Sequence, residues 1–98
     1  MNQVKFKISQ KAAFLDRDGV INVDTGYVSK IKDFKWIDGA IDALKILKEN
    51  NYLIIIISNQ SGVSRGFFSK QDVHDLHKWV NVQLSEHNIQ IDDFFFCN

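Results

Sequence analysis

Two carboxylates stand two residues apart in the stretch Asp16-Arg17-Asp18-Gly19. Oxygen pairs of this kind suit a hard divalent cation such as Mg²⁺. They can also divide into a nucleophile and a proton donor, with a metal ion easing the approach of a carboxylate to an anionic phosphate. A second polar cluster, Ser58-Asn59-Gln60-Ser61-Gly62, offers hydroxyls, amides and backbone N–H groups that could cradle an oxyanion. Arg17 and Arg65 are the only arginines, one beside each cluster, and each carries a fork suited to phosphate. Either cluster alone could be an ordinary polar turn, since Asp, Asn, Ser and Gly are turn residues. Their meaning depends on whether the fold brings them together.

The elements that must do so are legible. Ala12–Asp16 is a short apolar run stopped by charge and reads as a buried strand. Leu53–Ile57 is apolar without alternation, the pattern of a strand covered on both faces in a parallel sheet. Asp93–Cys97, with three phenylalanines, reads as a third strand. A first helix follows Asp38 as N-cap, with Ala40, Ile41, Leu44, Leu47 and Lys48 at helical spacing, and ends at Asn50-Asn51. A second starts at the capping-box-like Ser69-Lys-Gln-Asp72, buries Val73, Leu76, Trp79/Val80 and Leu84, and ends at His87-Asn88. The β-α-β-α-β order predicts an α/β fold with a parallel sheet and right-handed crossovers, three strands and two helices. Ligands of such sheets bind beyond the carboxyl ends of the strands. Both polar clusters fall there.

Composition narrows the function. The chain has 98 residues, read as a single domain spanning 1–98, with twelve basic and twelve acidic side chains and no net charge. No basic stripe points to nucleic acid. The apolar run 53–57 is far short of the ~20 residues a membrane span needs, and the N-terminus lacks the apolar core of a signal peptide. One cysteine excludes an internal disulfide. A cytoplasmic protein is the expectation. His74 and His77, at i and i+3, lack a placed third ligand and read as exposed or rim residues. Asp92-Asp93 reads as a solvated turn at the opposite edge of the sheet.

With Phe14-Leu-Asp-Arg-Asp-Gly-Val-Ile-Asn22, Ile55-Ile-Ile-Ser-Asn-Gln-Ser-Gly62, Asn22-Val-Asp-Thr-Gly-Tyr-Val28 and Ser61-Gly-Val-Ser-Arg-Gly66, the sequence resembles the haloacid dehalogenase (HAD) superfamily. More narrowly it resembles the D-glycero-D-manno-heptose-1,7-bisphosphate phosphatases and the related histidinol-phosphate phosphatases. The resemblance runs from about Ala12 to Cys97 and implies the N-terminal part of a HAD-like Rossmannoid domain, with a flap after the first strand. It implies Asp16 as nucleophile, forming an aspartyl-phosphate, and Asp18 as proton donor to the leaving sugar oxygen and then base for water. Mg²⁺ would be held by the Asp16 carboxylate and the Asp18 main-chain carbonyl. Ser58 would bind the transferring phosphoryl group. Asp24, Thr25, Gly26 and Tyr27 would form the flap, and Asn59, Gln60, Ser61 and Arg65 would contact a sugar phosphate.

The same resemblance marks departures. The lysine that steadies the phosphate and the later acidic pair of the metal site lie beyond residue 98, so turnover by this chain is expected to be weak or absent. Of a Cys-x-His … Cys-x-Cys zinc loop only Cys97 stands, followed by Asn98, and one cysteine cannot close a four-ligand site, so zinc is not expected. The substrate implied is a heptose bisphosphate of surface polysaccharide precursor synthesis, with histidinol phosphate as the alternative. A non-catalytic phosphate binder or half-domain pairing with another chain is the reading from a different class. The full-length family implies a monomer, and an uncovered third strand would favour self-association.

Overall fold

The computed structural model describes residues 10–59 and 61–97. Three parallel strands, β1 (Ala12–Asp16), β2 (Leu53–Asn59) and β3 (Asp93–Cys97), lie in the order β1-β2-β3. Helix α1 (Ala40–Glu49) connects β1 to β2. A single turn, α2 (Ser61–Ser64), and the long helix α3 (Lys70–Ser85) connect β2 to β3. The chain steps across the sheet in one direction. Two right-handed crossovers of that kind put both long helices on the same face.

Register and burial agree with this. Leu15, Ile56 and Phe94 are neighbours across the three strands. They pack into the core with Leu44 of α1 and with Leu76, Val80 and Leu84 of α3. The next row, Asp16, Ile57 and Phe95, faces the other way because strand side chains alternate. On that open face Phe14 is 64% exposed and Phe95 48% exposed.

The predicted strands and helices are all present, with local differences. Helix α1 has Gly39, not Asp38, at its N-cap, in the left-handed region at φ 85° and without a side-chain cap. The Ala40 N–H donates to Ile37 O at 3.0 Å, so the entry turn satisfies one of the donors an Asp cap would have taken. Strand β2 runs on to Asn59 because Ser58 and Asn59 pair in register with Phe96 and Cys97. The one-turn α2 and a 3-10 turn at Ile31–Asp33 are too short to leave a periodic signal. Asp92 is not a simply solvated turn residue. It accepts from the Ile54 N–H at 2.7 Å and from Lys48 Nζ at 2.5 Å, tying α1 to the start of β2.

Helix α3 starts where its sequence said it should. Asp72 N–H donates to Ser69 Oγ and Ser69 N–H donates to Asp72 Oδ2, both at 3.1 Å. Lys30, in the segment after β1, adds an ion pair to Asp72 at 3.1 Å. The Ser69 N–H, and then Lys30, hold the Asp72 carboxyl below its usual range. The buried stripe of this helix carries much of the core, and Leu84 is fully buried. Leu84→Ala is expected to cost about 2–5 kcal/mol of unfolding free energy, read as a lower urea midpoint with an unchanged slope.

Candidate active site

Asp16 closes β1 on the open face and is exposed. The next residue inverts the direction. Arg17 continues the ladder by one hydrogen bond, its N–H donating to Ile57 O at 3.0 Å, and its side chain turns under the sheet to the helix side. It is only 2% exposed. Gly19, at φ 87°, lets the chain fold back. The Gly19 N–H then reaches Asn22 O at 2.8 Å and the Ile21 N–H reaches Arg17 O at 2.8 Å. In this tight loop Asp18 is clamped through one oxygen. Its Oδ1 accepts from Arg17 Nη2 at 2.9 Å, Arg17 Nε at 3.1 Å and Asn22 Nδ2 at 3.0 Å.

The sequence singled out Arg17 as a phosphate ligand. The structure instead commits its guanidinium to three internal acceptors. Besides Asp18, Nη2 donates to Val28 O at 2.5 Å, and Nη1 lies 3.1 Å from His77 Nε2. The physical reason is strand alternation, which sends neighbouring side chains to opposite faces. Ser58, also a predicted phosphate ligand, lies buried on this helix side, its Oγ 3.4 Å from the same His77 nitrogen.

His77, expected to be exposed or at the rim, is only 4% exposed. Residues 73, 76, 77, 80 and 84 are the buried set of α3. Position 77 is four after 73 and three before 80, so it belongs to a stripe wider than a strict seam. Its ring stacks on Phe94 with centroids 4.1 Å apart and planes 11° from parallel. Asn22 was likewise not singled out as a site residue. It is fully buried, donates to Asp18 and Val23 O, and leaves its own Oδ1 without a partner among the described residues.

The flap residues Asp24, Thr25, Gly26 and Tyr27 are exposed. Asp24 Oδ1 accepts from the Gly26 N–H at 3.0 Å, closing a local turn with Gly26 at φ 90° and Tyr27 at φ 50°. The Tyr27 ring meets Phe67 edge-on at 4.9 Å, so the flap touches the segment after α2. Gly62 lies close against the rings of Tyr27 and Phe68. A Cβ there would come within 2.9 Å of Tyr27 Cδ1 and 2.7 Å of Phe68 Cζ. Asn59 and Arg65 are exposed at the end of β2 and in the turn after α2. Gln60 lies outside the described residues, as do the side chains of Ser61 and Cys97.

Among the described residues no three His, Cys, Asp or Glu side chains form a metal-binding group. The donors at the end of β1 nevertheless fit Mg²⁺, which is commonly held by one or two carboxylates, with water and substrate phosphate completing the shell. Asp16 supplies an exposed carboxylate. Asp18, with Oδ1 taken, has its main-chain carbonyl to offer. A cavity of about 530 Å³ is lined by Lys78, Asn81 and Ser85 among others, and by none of these loop residues.

Burial pushes the His77 ring down to a pKa of about 3, and the positive charges of Arg17 and then His74 add to the effect. In the unfolded chain this histidine titrates near its ordinary value of 6.5. The unfolded state therefore binds the proton first, and stability falls as pH drops below about 6.5 toward about 3. Between about pH 7 and about pH 5.5 this one group is expected to cost about 1 kcal/mol. Urea melts at the two pH values check it, since His77→Gln should remove that part of the slope.

The family model described as polynucleotide kinase 3 phosphatase matches residues 11–97. A D-glycero-beta-D-manno-heptose-1,7-bisphosphate 7-phosphatase of Haemophilus influenzae is 46% identical over 87 residues, covering 89% of this chain and 47% of that protein. The crystal structure of a D,D-heptose 1,7-bisphosphate phosphatase from B. bronchiseptica, complexed with magnesium and phosphate, superposes with a TM-score of 0.83. It is 28% identical and covers 89% of this chain and 49% of that one. The corresponding enzyme of Burkholderia thailandensis gives a TM-score of 0.69 at 31% identity, covering 90% and 53%. The chain thus spans about half the length of the relatives it matches. By its sequence from 11 to 97 and by its three-stranded α/β fold, it belongs to the family of HAD-like phosphatases that includes the heptose-1,7-bisphosphate phosphatases.

Proposed function

We propose that these residues serve phosphomonoester hydrolysis on a phosphorylated sugar, D-glycero-D-manno-heptose 1,7-bisphosphate, in the cytoplasm. The observation that carries the reading is the unequal treatment of the two aspartates. Asp16 is exposed at the strand end, as a nucleophile must be. Asp18, two residues on, is held through Oδ1 by Arg17 and Asn22. That leaves Oδ2 as the oxygen to carry a proton. One carboxylate is thus presented and the other oriented, the division of labour that nucleophilic and acid–base roles require.

In this mechanism an Asp16 oxygen attacks phosphorus and the phosphorus–sugar oxygen bond breaks. The proton on Asp18 passes to the departing sugar oxygen. Asp18 then takes a proton from water as that water attacks the aspartyl-phosphate, which releases inorganic phosphate and restores Asp16. Bound Mg²⁺, taken by the Asp16 carboxylate and the Asp18 carbonyl, would offset the negative charge gathered at the phosphoryl group. Ser58 and Asn59, at the end of β2, would contact the phosphoryl oxygens, Gln60 and Ser61 would join them by the family pattern, and Arg65 follows α2. The flap from Asp24 to Tyr27, resting on Phe67, covers the sugar. Arg17 serves by holding Asp18 rather than by touching phosphate.

The test is phosphoryl transfer to the chain from heptose bisphosphate with Mg²⁺, followed by intact-mass spectrometry and phosphate release, with histidinol phosphate as comparator. Wild type should gain one phosphoryl group. Asp16→Asn should lose the adduct by a factor on the order of 10³ or more. Asp18→Asn should slow its formation about 10²–10⁴-fold. Phosphate release undiminished in Asp16→Asn would overturn the assignment.

A further inference from the structure

His77 belongs to neither loop that carries the chemistry, yet its ring meets a residue from each. It stands on α3, sixty positions from Arg17 in sequence. Its Nε2 is 3.1 Å from Arg17 Nη1 and 3.4 Å from Ser58 Oγ. A guanidinium only donates. Nε2 must therefore accept, which puts the ring proton on Nδ1 and makes the histidine a neutral acceptor. Its depressed basicity agrees with that. The flat stack against Phe94 fixes the plane in which the lone pair points. With that lone pair turned to the nearer guanidinium proton, the Ser58 hydroxyl proton is left to turn toward a ligand.

Arg17 is the hub of three attachments. Two of its N–H groups hold Asp18 Oδ1, one also reaches Val28 O at the base of the flap, and a third meets His77. Without an acceptor at position 77, Nη1 becomes a buried charged donor with its partner removed, a costly state that the side chain relieves by turning. The guanidinium is rigid and planar, so it cannot turn at one nitrogen without moving the others. We propose that His77 is the positioning residue of this site: by accepting from Arg17 it sets where the Asp18 carboxylate and the Val28 carbonyl are held, and joins acid–base group, flap and phosphate loop at one buried point. The proposal rests on the acid–base role given to Asp18 above.

Three proteins decide it: wild type, His77→Gln and His77→Leu. Glutamine returns an acceptor near the place of Nε2. Leucine keeps apolar contact with Phe94 and has none. Nitrogen-15 spectra of the arginine side chains read the Arg17 guanidinium directly. Its protons should be resolved and slowly exchanging in wild type and His77→Gln. In His77→Leu they should exchange about tenfold faster or more, with unfolding still cooperative. Phosphoryl transfer to Asp16 at saturating heptose bisphosphate should fall on the order of 10- to 100-fold in His77→Leu and be largely restored in His77→Gln. A slow Arg17 signal kept in His77→Leu, or lost equally in both variants, would overturn the proposal and leave packing alone. So would a lost signal with unchanged phosphoryl transfer. Should His77→Leu not fold, His77→Asn replaces it, since its shorter amide cannot reach Arg17. The Arg17 signal needs no substrate. A wild type that gains no phosphoryl group therefore sinks the functional reading, while the spectra still report on the hold that His77 has on Arg17.

Discussion

A guanidinium cannot shed its charge, so one buried to 2% exposure needs acceptors arranged around it before the chain can close over it. Arg17 finds them in the Asp18 carboxylate, the Val28 carbonyl and the His77 ring. These come from the loop after β1, the flap and helix α3. Each would be placed loosely by its own local structure. Joined through one rigid cation, they constrain each other. The Asp18 carboxylate gains orientation, and the flap gains an anchor at its base. Helix α3 gains a polar contact inside an otherwise apolar stripe of Val73, Leu76, Val80 and Leu84. Removing one partner of such a buried pair costs more than the pair itself contributes, which makes the arrangement specific even where it adds little net stability.

The sheet supplies the other constraint. Two crossovers in the same direction place α1 and α3 on one face and leave the opposite face without a helix among the described residues. Alternation along β1 then gives adjacent residues opposite surroundings. Asp16 emerges on the open face beside Ile57, and Arg17 is driven into the core. Two charged neighbours in one short motif are thereby sorted into an exposed group and a buried one. The same alternation leaves Phe14 and Phe95 exposed, in a chain that spans about half the length of the relatives it matches.

Much of this was legible residue by residue. The limits of β1 and β3 coincide with those read from their apolar runs, and the Ser69–Asp72 box marks the start of α3 as its sequence pattern implies. These features are local: a run of β-prone side chains or a four-residue cap needs no distant partner. The misplaced features have distant partners. Asp92 looks like a surface turn until Ile54 and Lys48 arrive beside it. His77 looks like a rim residue because a histidine next to a stripe is usually solvated, and only the arrival of Arg17, from the loop after β1, and Phe94, from β3, gives its ring partners in the core. Asp38 yields the cap of α1 to Gly39 because the chain enters the helix through a left-handed φ of 85°, which glycine adopts without the clash a side chain would bring.

The sequence by itself determined the elements, their order and the position of both polar clusters at the carboxyl ends of adjacent strands. Periodicity, turn chemistry and the handedness of crossovers act along the chain and can be read there. Tertiary structure alone decided what each polar side chain does at those ends. Arg17 became a buried clamp with three internal acceptors, Asp18 was held by one oxygen, and His77 entered the core. Those outcomes depend on which donors and acceptors meet across tens of residues, and a buried polar group takes its role from the partner that satisfies it.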